Sequence, residues 1–234
     1  MKLTIITPVN AATEIVSDET ESYAGRFLRS DTSLSFVSIT EGYSSIESEL
    51  HSLINGPAAY ALIRQAEADG ADGVFVNCFD DPAVYACREC MRIPVYGAYT
   101  PSVLTALGLA ERVGVITTDV PGILSEERKA RLMGVSERIG AIRCTDMSVT
   151  DLVSNKDALL ASLVDVCREM YHKDRIGAVC LGCTGMAYAV DDLRVMLRER
   201  DCPVYVVEPI AAALTWLERT VILKQSNTFR GVHT

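Results

Sequence analysis

The sequence predicts an α/β protein of two similar domains. Each is a parallel sheet flanked by helices, and the two are related by a pseudo-two-fold axis with a central cleft between them. Two observations predict this. Short β-rich apolar runs alternate with amphipathic segments along all 234 residues, the pattern of parallel sheets covered on both faces. The chain also repeats itself. IITPV (5–9) resembles VITTDV (115–120), GVFVNCF (73–79) resembles GAVCLGCT (177–184), and IPVYGAYTPSVLTALG (93–108) resembles CPVYVVEPIAAALTWL (202–217). The matches keep the same order, with offsets of 110, 105 and 109 residues. Such a duplication would bring Cys78 and Cys183 to face one another across a central cleft.

The strands expected are LTIIT (3–7), LSFVSI (34–39), GVFVN (73–77), VGVIT (113–117), GAVCLG (177–182) and PVYVV (203–207). Residues 58–70 read as a helix with Ala59, Leu62, Ile63 and Ala66 on one face. Pro82, Pro101 and Pro121 each suit a first helical position. A last helix, 208–222, follows the second PVY strand and should cross back onto the first domain. The domains are therefore expected at 1–98 plus 208–234, and at 99–207.

Composition narrows the partners. A formal charge of −9 argues against nucleic acid and against anionic membrane surfaces. No segment approaches the roughly 18–20 apolar residues that span a bilayer. MKLTIITPVN reads as a first strand ending at Pro8 and not as a signal peptide. The expectation is a cytoplasmic protein with a small-molecule substrate, assembled as a homo-oligomer.

The eight cysteines are not expected to form a disulfide framework in that compartment. Two C-x-x-C pairs, Cys87/Cys90 and Cys180/Cys183, suggest a four-thiolate zinc site. They lie about 90 residues apart where such pairs are usually about 15–20 apart, and one pair falls in a helix, the other in a strand. No metal is expected. Cys144, Cys167 and Cys202 read as small buried hydrophobes. His51, His172 and His233 show no partner pattern and read as surface residues.

Cys78 and Cys183 are different. Each ends an apolar strand where a helix is about to start, the place where open parallel sheets bind ligands. A helix amino end lowers a thiol pKa and stabilises an adjacent anion. Asp81-Pro82 reads as N-cap and first helical residue after Cys78, and Thr184 as the cap after Cys183. One cysteine alone would read as tight packing. Two at matched places in a repeat read as function.

GVFVNCFDDP, SIES (45–48) and VCLGCTGMA resemble the aspartate/glutamate/hydantoin racemase superfamily, and most of all its hydantoin and allantoin racemase branch. The resemblance extends over almost the whole chain. It implies two similar α/β domains, an active site between them, and racemisation with neither metal nor organic cofactor. It makes Cys78 and Cys183 the acid/base pair and puts Asn10, Phe79, Asp80, Thr117, Thr118, Thr184 and Gly185 around the substrate. Where the family usually has an Asn-Pro-Asn turn after the first strand, this chain has Thr7-Pro8-Val9-Asn10.

The chemistry agrees with the residues. Inverting a stereocentre beside a carbonyl takes a proton from one face and returns one to the other, so one group must start as thiolate and the other as thiol. Cysteine can hold either state near neutral pH. The enolate formed between these steps needs aimed donors. Backbone N–H groups after each cysteine and the hydroxyls of Thr117, Thr118 and Thr184 are the candidates. Amino-acid racemases of the superfamily resemble one another in a Cys-Asn-Thr motif at the first cysteine. Cys78-Phe79-Asp80 suits a neutral ring better than a free carboxylate. Aspartate or glutamate racemisation, a maleate-type isomerase, an arylmalonate-type decarboxylase and a non-enzymatic binding protein are the other readings.

Overall fold

The computed structural model describes residues 1–10 and 18–226. They divide into two compact units, one drawn from 1–44, 50–98 and 210–226, the other from 45–49 and 99–209. Each unit is built on its own four-stranded sheet.

In the first unit, β1 (Lys2–Asn10), α1 (Asp18–Gly25), β2 (Ser33–Ile39), α2 (Glu49–Ala68), β3 (Gly73–Val76), α3 (Val84–Cys90) and β4 (Val95–Tyr96) follow in chain order. The strand order is β2-β1-β3-β4, all parallel. In the second, α4 (Tyr99–Leu109), β5 (Val113–Thr117), α5 (Val120–Met133), β6 (Ile139–Cys144), α6 (Val149–Ser154), α7 (Lys156–Asp174), β7 (Ala178–Leu181), α8 (Val190–Glu199) and β8 (Tyr205–Val207) follow, with the equivalent order β6-β5-β7-β8. The last helix, α9 (Pro209–Ser226), belongs with the first unit from Ile210 onward.

The strands form where apolar residues run without interruption. Val74, Phe75 and Val76 of β3, and Ala178 to Leu181 of β7, are wholly buried, as central parallel strands covered on both faces must be. Ile63 and Ala66 turn the inner face of α2 into the first core, against Val74, Val76 and Cys87. Leu159, Leu163 and Met170 of α7 do the same in the second, against Val179 and Leu181. Gly73 admits α9 close to the sheet: a Cβ there would meet Leu217 Cδ1 at 2.8 Å and Val221 Cγ2 at 3.0 Å.

Four expectations need correction. β1 does not end at Pro8 but runs on to Asn10, with a register irregularity between Thr7 and Asn10 that takes the proline, which has no N–H to give. β6 was not expected, because Gly140 and Arg143 dilute its pattern. It is a half-buried edge strand, and Gly140 lets Arg112 lie across it. Cys144, at its end, is half-buried and not a core residue. None of the three prolines is a first helical residue: Pro121 is the second residue of α5, Pro101 the third of α4, and Pro82 precedes α3 altogether.

The irregular end of β1 is held by one buried side chain. Asn55, in α2, donates from Nδ2 to Pro8 O (2.9 Å) and Tyr43 O (3.0 Å), while its Oδ1 accepts from Tyr43 N (2.9 Å). Tyr43 O also accepts from Asn10 N at 3.1 Å. Gly42, at φ 116°, leaves room for this: a Cβ would stand 2.4 Å from Asn55 Oδ1. Asn55→Ala would strand buried backbone groups, and we expect it to cost about 3 kcal/mol in urea unfolding. Asn55→Asp should be comparably damaging, since a carboxylate cannot donate to the two carbonyls. A loss below about 1 kcal/mol for both would show that this side chain does not hold the end of β1.

Candidate active site

Each cysteine is placed by one backbone hydrogen bond that extends the parallel ladder past the strand. In the first unit Asn77 N donates to Ile6 O at 2.8 Å, and in the second Gly182 N donates to Ile116 O at 2.7 Å. The next residue is Cys78 in one case and Cys183 in the other. Leu3 pairs with Gly73 as Val113 pairs with Ala178, and Ile6 with Val76 as Ile116 with Leu181. The two thiols thus occupy the same register position of equivalent sheets, at the carboxyl edge where ligands bind.

Beyond the cysteines the units differ. After Cys78 the chain makes a loop, not a helix start. Asp81 and Ala83 are both left-handed (φ 54° and 63°), and α3 begins only at Val84, with Ala83 as its uncapped N-cap residue. Asp81 is therefore not an N-cap, nor Pro82 a first helical residue. The Asp81 carboxylate is buried against Gly97, where a Cβ would lie 1.9 Å from Oδ1. Cys78 O accepts from Ala98 N at 3.1 Å, tying the loop to the end of β4. Phe79 is buried and Asp80 half-buried, and Asn10 stands at the end of the adjacent β1, also half-buried.

After Cys183 a 3₁₀ turn, Thr184–Ala189, starts at once and leads into α8. The cap residue is Cys183 itself, not Thr184, and its carbonyl accepts from Met186 N at 3.0 Å. Gly182 allows no side chain, since a Cβ would stand 2.8 Å from Ile116 O and 3.2 Å from Thr117 Cα. Cys183 Sγ lies 3.4 Å from where a Cβ on Gly185 would be, so a side chain there would touch the thiol.

Thr117 and Thr118, on the neighbouring β5 end, are both buried. Thr117 Oγ1 lies against Gly122 in the first turn of α5, and Thr118 Oγ1 is 3.5 Å from Asp119 Oδ1, the carboxylate that caps α5 by accepting from Gly122 N at 2.9 Å. Both hydroxyls thus stand beside a helix start, that of Thr118 against its capping carboxylate. Their carbonyls accept from Thr145 N (3.0 Å) and Met147 N (3.1 Å), which leads the chain on to α6. Gly182, Gly97 and Asp119 were not singled out from sequence. A glycine directly before the second cysteine was the available signal for a close approach.

The other thiols are sorted by burial. It pushes the Cys87 thiol up to about 11 and raises Cys167, Cys180 and Cys202 as well. Cys90 is exposed at the end of α3. Among the described residues no group of His, Cys, Asp or Glu could hold a metal ion, and no helix is long and apolar enough to cross a membrane. His51 stacks on Tyr43 with ring centroids 4.1 Å apart, His172 is exposed, and His233 lies outside the described residues.

A family model for Asp/Glu/Hydantoin racemase matches residues 3–217. The chain belongs to that family. It is 31% identical to a hydantoin racemase from a Pseudomonas strain over 224 residues, covering 95% of this chain and 87% of that one. Its structure is similar to allantoin racemase from Klebsiella pneumoniae, with a TM-score of 0.85, 26% identity, and coverage of 95% and 88%. A glutamate racemase from Bacillus anthracis shares the fold, with a TM-score of 0.67 at 16% identity and coverage of 98% and 84%. Membership makes the protein an isomerase, a racemase acting on small molecules.

These thiol environments make a labelling pattern testable. Iodoacetamide at about pH 8 should modify Cys90 and the half-buried Cys78, Cys144 and Cys183 in the native protein. It should leave Cys87, Cys167, Cys180 and Cys202 unmodified until denaturant is added. Peptide mass spectrometry reads this directly, and native labelling of Cys180 ahead of Cys90 would contradict it.

Proposed function

We propose that the protein racemises 5-monosubstituted hydantoins or allantoin by proton transfer between Cys78 and Cys183, with neither metal nor organic cofactor. The observation that carries this is the register equivalence of the two cysteines, one residue past the same ladder bond in each sheet. In each direction a thiolate breaks the C–H bond beside the ring carbonyl, and the electron pair moves onto the carbonyl oxygen as an enolate. The opposite thiol then protonates the other face. Nothing is oxidised or reduced, and the protein ends with the proton on the other sulfur. The eight cysteines are all unbridged, which supports a reducing, cytoplasmic setting.

The mechanism is tested by removing one base at a time. Cys78→Ser and Cys183→Ser should each abolish racemisation, with losses of at least about a thousand-fold. In deuterated solvent each variant should still exchange the α-proton of one enantiomer, and the two should prefer opposite enantiomers. Substantial racemisation by both single variants would falsify the two-thiol scheme.

The substrate class rests on the relatives' names and on Cys78-Phe79-Asp80. Asp80, half-buried and two residues after Cys78, would repel the α-carboxylate of a free amino acid. A hydantoin ring enters the enolate from a neutral precursor, whereas a carboxylate must accept a second negative charge. Phe79 is buried, and the carboxyl of the half-buried Asp80 is the group proposed to discriminate. Polarimetry against hydantoins, allantoin, aspartate and glutamate should find activity on the first two classes and little on the amino acids. A kcat/KM for aspartate or glutamate at or above every hydantoin value would overturn the substrate assignment and leave the two-thiol mechanism standing.

A further inference from the structure

The SIES segment has so far no part in the chemistry, yet its placement is unusual. Residues 45–49 belong with the second unit although the chain on either side belongs with the first. Two carboxylates anchor them there. Glu49 Oε1 pairs with Arg128 of α5 and accepts from Ser125 Oγ at 3.3 Å. These groups are exposed, so this contact is worth little by itself. Glu47 Oε1 accepts from Val149 N, the first N–H of α6, at 3.0 Å and 102 positions away in sequence. That N–H has no partner within its own helix, and a carboxylate is the strongest acceptor it could be given.

What α6 touches decides what this bond can do. Its side chains meet the 3₁₀ turn that begins immediately after Cys183. Tyr188 Oη donates to Leu152 O, and Val153 Cγ2 lies 3.7 Å from where a Cβ on Gly185 would stand. Gly185 is the residue over which Cys183 Sγ is packed. The order of contact is Glu47, α6, the 3₁₀ turn, the thiol. α6 is only six residues long, with Ser148 capping Asp151 N at 3.1 Å, too short to hold itself in place without outside contacts.

We propose that Glu47 is a positioning residue for Cys183. It touches neither thiol nor substrate. By fixing the start of α6 it sets the 3₁₀ turn, and with it the angle from which Cys183 meets the stereocentre. The proposal rests on the reading of Cys183 as an acid/base, and the experiment separates the two.

Glu47→Ala removes the acceptor and Val149→Pro removes the donor. The second is sterically mild, because proline suits a first helical position and Ser148 already has the extended backbone (φ −65°, ψ 158°) that precedes proline. Each should lower kcat about ten-fold with KM changed less than about two-fold, and the double variant should be no worse than either single one. Glu47→Gln keeps an acceptor oxygen and should recover most of the activity. In the unliganded protein, iodoacetamide labelling of Cys183 should speed up at least about three-fold in Glu47→Ala and Val149→Pro. Labelling of Cys78 and of Cys144, the second half-buried thiol of the same unit, should stay unchanged. Unaltered labelling of Cys183, or equal acceleration at Cys144, would overturn the positioning role. Racemisation that survives Cys183→Ser would instead sink the functional reading, while the labelling result would still stand.

Discussion

Two hydrogen bonds, Asn77 N to Ile6 O and Gly182 N to Ile116 O, decide where the two cysteines of the proposed chemistry leave their sheets. Each bond follows the last ladder pair that the cysteine-bearing strand makes with its neighbour, just before the chain turns away. The following residue leaves the sheet at a defined point, and in both units that residue is cysteine. The two settings are not identical. The Ile116 bond brings the backbone so near Thr117 that only glycine fits at 182, whereas position 77 carries a half-buried asparagine. Equivalent topology thus fixes the two sulfur-bearing residues, while different side chains shape what surrounds them.

That difference bears on the proposed two-thiol mechanism. Chemically identical groups must begin each turnover in different protonation states, and a symmetric enclosure offers no reason for one to hold its proton more tightly. Cys183 opens a 3₁₀ turn that continues into α8, so a helical start follows it directly. Cys78 is followed by a loop with two left-handed residues, and α3 starts six positions later. A helix start lowers the pKa of a thiol within its first turn and loses effect beyond it. The expectation of a matched helix end at both cysteines fails at Cys78, and its failure supplies an asymmetry.

The repeat was legible because register is a sequence property. The offsets of 110 at the first strands and 105 at the cysteine strands are those at which β1 maps onto β5 and β3 onto β7. The five-residue difference is taken up between the strands, where connections tolerate length changes. At β4 and β8 the motif offset of 109 departs from the ladder. Val95 pairs with Val74, while Val179 pairs with Val206, so sequence likeness there marks the turn after the strand and not its register. The left-handed backbone at Asp81 and Ala83 was not legible, because Asp-Pro before an apolar residue is also how many helices begin. Only the packing of Asp81 against Gly97 tells the two apart. Glu47 was equally hidden, since its partner is a backbone N–H on an element 102 positions away, and a backbone partner leaves no trace in residue identity.

Burial does the remaining sorting, and one buried charge pair shows how. Glu126 and Lys129 of α5 are bonded at 2.8 Å and almost fully covered, with Lys129 Nζ 4.7 Å from the centroid of the buried Tyr99 ring. Such a pair gains less than its distance suggests, because both groups gave up water to form it. Removing one partner is costlier still, since the other charge stays behind. Its negative end acts on Cys180: burial first, then the charge of Glu126, holds that thiol protonated. Cys183 is three positions further on, past the last strand residue, and half-buried. A C-x-x-C spacing that suggests paired chemistry is in this fold a division of labour, one sulfur locked into the core and the next released at the sheet edge. The same division holds at Cys87 and Cys90, where burial raises the first thiol to about 11 and the second is exposed. Neither pair holds two sulfurs in one environment, so it is the position past the ladder bond, and not the C-x-x-C spacing, that marks Cys78 and Cys183 out among the eight cysteines.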